Sequence, residues 1–251
     1  MQRIWEVDFI RGIAIVLMIV FHIFFDLDYF TRFDFSAWSM ELFWLARATV
    51  AIFVFLVGVS LTLSYAKTNG NIVGTRLAWK YIKRGLRIFS MGLIITAFTL
   101  IFFPQGLIFF GIIHFIGAAI IISYPLLSRP KLALPFGLVA FVVGLLINGI
   151  ALDTMLFTWL GFSVSAAYSP GFYTFDLVPL FPWLGIVFLG IFAGSKLYPN
   201  GQRAKEAPET KSRVLKLFSW MGRKSLIIYF LHQPAIITLL WLAGVIQPAF
   251  L

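Results

Sequence analysis

Seven long apolar runs restrict this chain to the membrane more strictly than any other feature of its sequence. A run of about 18 to 25 apolar residues is long enough to cross the roughly 30 Å of bilayer hydrocarbon as a helix. Only 12% of the 251 residues are charged and the mean hydropathy is +0.95, whereas a soluble domain carries about 25% charged residues. We therefore predict an all-α, polytopic transmembrane helical bundle of about seven helices, in a single domain over residues 1–251. The predicted spans are Val7–Phe25, Leu42–Tyr65, Gly85–Phe103, Ile108–Leu127, Ala133–Ile150, Leu177–Leu197 and Ser225–Gly244.

Basic residues are sorted to one side of these spans. Nearly all of the 20 Lys and Arg residues lie near the N-terminus, between Lys67 and Arg87, or in the connections after the fourth and sixth spans. The positive-inside rule makes this side cytoplasmic, and it places the N-terminus in the cytoplasm. The net charge of +10 is explained by topology, so no nucleic-acid partner is expected. Segment Arg213–Trp220 is typical of a short amphipathic helix on the inner membrane surface.

Ionisable side chains inside the spans are the first candidates for function. Such a group costs several kcal/mol in hydrocarbon unless it is paired or hydrated. His22 and Asp26 are four residues apart in the first span, so they share a helical face and are able to touch. Helix lengths place five ionisable groups at a similar depth near the outer side, where we expect them to converge. They are His22, Asp26, Arg47, His114 and Asp176.

Other polar residues lie at the predicted inner side. Asp8 and Arg11 are three residues apart and are able to neutralise each other. A basic group that opens the third span suits phosphates entering from the cytosol, but it equally suits lipid headgroups or topology alone. It comprises Lys80, Lys83, Arg84 and Arg87. His232 is followed by Gln233 and Pro234. Because the proline kinks the helix, we expect this histidine to line a central cavity rather than to join the outer group. The chain has no cysteine, which excludes thiolate metal ligands and cysteine nucleophiles, and we expect no metal.

Five segments in order along the chain resemble the catalytic-domain family of heparan-alpha-glucosaminide N-acetyltransferase, within the wider transmembrane acyltransferases. They are RIWEVDFIRGIAIVLMIVFH at Arg3–His22, GVSLTLS at Gly58–Ser64, FGIIHFIG at Phe110–Gly117, DLVPLFPWLG at Asp176–Gly185 and GRKSLIIYFLHQP at Gly222–Pro234. The resemblance implies an acyltransferase, with acetyl-CoA as co-substrate, that moves an acetyl group to an amine or hydroxyl of a sugar or glycan across the membrane. It also implies a multi-pass protein of the cell membrane whose partners are the lipid bilayer, coenzyme A and the acceptor.

The resemblance and the positions of the residues in the spans together suggest roles for the candidates. His22 corresponds to the first-span histidine that the wider superfamily uses in catalysis, and we expect Asp26 and His114 to assist it. The acceptor is expected to meet Arg47, Asp176, Trp183, His232 and Gln233. The coenzyme A phosphates are expected to meet Arg11, Lys80, Lys83, Arg84 and Arg87. A small-molecule transporter is the alternative, because polar groups at a membrane cavity also serve translocation. The sequence leaves the acceptor and a homo-oligomeric state open.

Overall fold

The computed structural model describes residues 4–31, 33–35, 38–68, 72–169, 173–203 and 212–246. Within them the chain forms eight α-helices, two 3₁₀ turns at Pro104–Gly106 and Pro199–Gly201, and a pair of two-residue parallel strands, β1 (Ala151–Leu152) and β2 (Ser163–Val164). The helices are α1 (Trp5–Phe30), α2 (Ser39–Thr68), α3 (Thr75–Phe102), α4 (Ile112–Leu127), α5 (Pro130–Asn148), α6 (Leu180–Leu197), α7 (Arg213–Arg223) and α8 (Ser225–Leu242). The predicted helical membrane fold is confirmed.

Six of the seven predicted spans correspond to helices that are long and apolar enough to cross a membrane, namely α1, α2, α3, α5, α6 and α8 among the described residues. The fourth predicted span was wrong at its beginning. The chain forms a 3₁₀ turn at Pro104–Gly106, and Phe110 pairs with Leu177 in a β-bridge, so α4 starts at Ile112 rather than Ile108 and has 16 residues. Several other helices extend beyond the predicted apolar cores. For example, α3 begins at Thr75 in the basic segment rather than at Gly85.

Among the described residues, those within 54–206 form one compact unit, and those within 2–53 and 207–251 form another. In the first unit, α3 packs on α4 and α5 packs on α6. Glycines permit the close approach of these helices: a Cβ on Gly85 would lie 2.6 Å from the Gly117 carbonyl oxygen, and one on Gly185 would lie 2.6 Å from that of Gly137. Small residues at the contact let helix backbones approach closely, as membrane helices require.

In the second unit, α1 packs along α7 and also contacts α8. The contact with α7 depends on Gly12, which faces the Phe218 backbone, and on Gly222, which faces the Asp8 backbone. The predicted amphipathic segment Arg213–Trp220 is helical, as the beginning of α7. Its position on the inner membrane surface stays a prediction.

Candidate active site

Two histidines that are far apart in sequence meet inside the second unit. His22 on α1 and His232 on α8 have ring centroids 4.6 Å apart, with the ring planes at 80°. His22 Nδ1 lies 2.8 Å from the Met18 carbonyl oxygen, and His232 Nδ1 lies 2.6 Å from that of Tyr229. His232 is buried and His22 is partly buried. The structure therefore brings together a histidine expected in catalysis and one expected to bind the acceptor.

A hydrogen bond between Asp26 and Gln233 ties the same two helices together. The Gln233 Nε2 atom donates to Asp26 Oδ1 over 2.5 Å, and the side chain of Asp26 is fully buried. The expectation that Asp26 would contact His22 is not met, because the carboxylate bonds to the amide on α8 while the His22 ring bonds to the backbone of its own helix. Both side chains nevertheless belong to the same cluster.

Three buried polar atoms of this cluster have no hydrogen-bond partner among the residues that the structure describes. They are Asp26 Oδ2, His232 Nε2 and Gln233 Oε1. Buried polar groups in native proteins are nearly always hydrogen-bonded, so several unsatisfied atoms at one place indicate a site that receives a ligand or water. Unsatisfied polar atoms of this kind cost about 1–3 kcal/mol each.

His114 occupies a different environment, in the first unit. Its side chain is 1% exposed, and its ring lies against Phe89 and Phe110. The Gly111 N–H donates to His114 Nδ1 over 3.2 Å, and His114 Nε2 lies 3.2 Å from Thr96 Oγ1. Since both ring nitrogens have partners inside the protein, the ring holds the beginning of α4 in place, as a packing histidine does.

Asp176 caps the same helix end. Its Oδ2 atom accepts the backbone N–H of Ile112, the first residue of α4, over 2.8 Å. A carboxylate at this position satisfies a free backbone donor and complements the positive end of the helix dipole. Burial raises the pKa of the Asp176 carboxyl to about 6, although the bond from Ile112 opposes this shift.

The remaining acceptor-site candidates are placed as follows. The Arg47 guanidinium lies over the Phe43 ring, 5.0 Å from its centroid, and Trp183 is buried in α6. Arg47 belongs to the unit that holds His22, whereas His114, Asp176 and Trp183 belong to the other. The expected convergence of all five outer ionisable groups stays a prediction.

The basic candidates at the predicted inner side make polar contacts of their own. Arg11 forms an ion pair with Asp8 at 2.9 Å, as its spacing predicted. The Lys80 ammonium donates to Thr68 Oγ1 at 2.8 Å, and the Arg84 guanidinium donates to Ser64 Oγ at 3.4 Å. Lys83 lies over the Trp79 ring, and Arg87 is exposed. The four basic residues of α3 lie on its first four turns, and the side chain of each is exposed. They are Lys80, Lys83, Arg84 and Arg87.

Sequence reasoning missed a tyrosine cluster beside this basic group. The Tyr81 ring lies 6.5 Å from the Tyr65 ring and 5.3 Å from the Tyr124 ring, measured between centroids. These residues come from three helices, and no local periodicity relates them. In the described part of the chain, no group of three His, Cys, Asp or Glu side chains is arranged to hold a metal ion.

The helices and this buried polar cluster define a multi-pass membrane protein with chemistry-bearing groups inside its spans. A family model described as "Heparan-alpha-glucosaminide N-acetyltransferase, catalytic" matches residues 3–234. The chain belongs to this family of membrane acetyltransferases, and the resemblance seen in its motifs is confirmed. No curated protein and no solved structure matches the chain.

Proposed function

We propose that this chain transfers an acetyl group from cytosolic acetyl-CoA to an amine or hydroxyl of a sugar or glycan on the extracytoplasmic side of the cell membrane. The observation that carries the proposal is the buried cluster of His22, Asp26, His232 and Gln233, with its unsatisfied polar atoms, in a chain of an acetyltransferase family. Imidazole is the side chain best suited to take and return a proton near neutral pH.

His22 acts as the general base on the acceptor in this proposal. Its Nε2 atom removes the proton from the acceptor nitrogen or oxygen, which attacks the thioester carbonyl carbon, and the carbon–sulfur bond breaks. Asp26 is held in position by its hydrogen bond from Gln233. Its carboxylate lines the site and offers a hydrogen-bond acceptor to the incoming substrate. His114 is a positioning residue, because its two nitrogens are engaged within the protein. The expected contribution of Arg47, Asp176 and Trp183 to the acceptor side stays a prediction, because Arg47 and the other two belong to different units.

The donor is proposed to bind through its phosphates at the basic end of α3. Lys80, Lys83, Arg84 and Arg87 present positive groups there on one helix, and charge-assisted bonds to phosphate oxygens are strong. The expected contact of Arg11 with these phosphates stays a prediction, because Arg11 lies in the other unit and forms an ion pair with Asp8.

An acetyl-transfer assay tests the proposal. Purified protein in lipid nanodiscs is given acetyl-CoA labelled in the acetyl group, together with a panel of amino sugars and glycans. We expect acceptor-dependent release of free coenzyme A and labelled acceptor, and a loss of about 10²-fold or more in His22→Ala. A Thr238→Val variant on the exposed side of α8 is the matched control and should keep full activity. Full activity in a folded His22→Ala protein would contradict the assignment, and absence of acetyl transfer with transport of the sugar would favour a transporter.

A further inference from the structure

The backbone contacts of the two paired histidines fix where each ring carries its proton. A carbonyl oxygen only accepts hydrogen bonds, so the contacts of His22 Nδ1 with Met18 O and of His232 Nδ1 with Tyr229 O require a hydrogen on each Nδ1. A neutral imidazole has one N–H, and Nε2 in each ring is therefore an unprotonated acceptor. Both members of the pair present the same basic nitrogen.

The third histidine carries its proton on the opposite nitrogen. The Thr96 hydroxyl donates its single hydrogen to the Ile108 carbonyl oxygen at 2.7 Å, so its oxygen accepts from His114 Nε2. His114 Nδ1 in turn accepts the Gly111 N–H. His114 is thus protonated at Nε2, and it has no free lone pair to act as a base.

Acyl transfer needs a proton to move between two different places. The acceptor loses a proton when its nitrogen or oxygen bonds to the acetyl carbon, and the sulfur of coenzyme A gains one when the carbon–sulfur bond breaks. Because Nδ1 of His22 is committed to Met18, that ring has only Nε2 to receive the proton and to return it. A second imidazole with a free Nε2, packed against the first, offers a second position from which the proton reaches the sulfur.

We propose that His232 is a second catalytic base, which takes the proton from His22 through a water molecule bound at its unpartnered Nε2 and passes it to the leaving sulfur. The inference rests on the proposed acetyltransferase function. One proton enters the pair from the acceptor and one leaves it as the thiol forms, so both rings end neutral. Three observations support a functional pair. The two rings are in contact, and His232 is buried with an unsatisfied Nε2. The Asp26–Gln233 hydrogen bond also joins α1 to α8 beside them.

Asparagine substitutions separate the basic role from a structural one. The amide nitrogen of asparagine reaches about as far as Nδ1 of histidine and is able to donate to the same carbonyl, but asparagine has no basic nitrogen. We expect His232→Asn to keep the melting temperature and the KM for acetyl-CoA, and to lower kcat about 10²-fold. The double variant with His22→Asn should lose little more than the worse single variant, because residues that act as a unit are not additive. A His232→Asn enzyme with wild-type kcat would overturn the inference.

The protonation pattern is measured independently of activity. The protein has three histidines, so ¹⁵N-histidine NMR of the full chain in micelles, assigned with single substitutions, resolves every ring. We expect a protonated Nδ1 in His22 and His232 and a protonated Nε2 in His114. A proton on Nε2 of neutral His232 would overturn the inference, even if acetyl transfer is found. Absence of acetyl transfer by the wild-type enzyme, with the expected NMR pattern, would instead refute the proposed function.

Discussion

Replacing Gln233 by leucine should destabilise the contact between α1 and α8 far more than a change at an exposed position does. The leucine has nearly the same volume, but Asp26 Oδ1 loses the donor that lies 2.5 Å away. Oδ2 already has no partner among the described residues, so the fully buried carboxylate is left without any donor there. A hydrogen bond to a charged group is worth about 1.5–3 kcal/mol, and removing one partner of a buried ion costs about 3–5 kcal/mol. We expect a loss of about 3 kcal/mol in the free energy of unfolding.

Equilibrium unfolding in mixed micelles measures this loss, with four proteins forming a double-mutant cycle: wild type, Gln233→Leu, Asp26→Leu and the double variant. The double variant removes both polar partners, so its cost should be smaller than the sum of the single costs by at least about 1.5 kcal/mol. Thr238→Val, on the same helix, serves as the control and should change stability by no more than about 0.5 kcal/mol. A Gln233→Leu protein as stable as this control, or additive single variants, would refute the reasoning.

Three further predictions concern other parts of the structure. Gly92→Ala places a Cβ 2.8 Å from the ring of His114, so the ring must shift. We expect a loss of about 1–3 kcal/mol in the free energy of unfolding and a changed ¹⁵N signal of His114. An unchanged signal would contradict this packing. Asp176 holds a proton in the native state up to pH about 6, whereas the unfolded chain releases it near pH 4, so unfolding free energy should fall as pH rises through this window. Asp176→Asn should remove that contribution, and equal pH slopes for both proteins would exclude it. Lys80→Gln combined with Arg84→Gln should raise the KM for acetyl-CoA about tenfold or more at unchanged kcat, and an unchanged KM would mean that these side chains serve lipid headgroups or topology.

The apolar spans were predictable because hydrocarbon requires them. A helix across a bilayer satisfies its own backbone, and its length follows from the membrane thickness. Each of the seven predicted spans therefore corresponds to a helix, although several boundaries differ, and at the beginning of the fourth span backbone pairing overrode hydropathy. The beginning of α4 at Ile112 depends on the β-bridge between Phe110 and Leu177 and on the cap from Asp176. These contacts join segments more than 60 residues apart, so no local pattern indicates them.

The members of the candidate site were predictable one by one, but their grouping was not, because His232 was expected at a central cavity apart from His22 and lies against its ring. His22, Asp26, His232 and Gln233 stand out because they are polar in apolar spans. The spacing of His22 and Asp26 suggested that they touch, yet Asp26 bonds to a residue 207 positions away, and His22 bonds within its own turn. Likewise, a single histidine in an apolar helix does not indicate whether its nitrogens are free. Only the Thr96 and Gly111 contacts distinguish His114 from the paired histidines.

The short helix α4 has a consequence for the thickness of the barrier. Its 16 residues extend about 24 Å at 1.5 Å per residue, which is less than the roughly 30 Å of a typical hydrocarbon layer. For a helix this short to cross the bilayer, the polar backbone of residues 103–111 has to lie within the depth of the lipid tails, where protein rather than lipid surrounds it. Around a crossing helix of this length the hydrocarbon barrier is several ångströms thinner, which shortens the path that the proposed acetyl transfer has to cover.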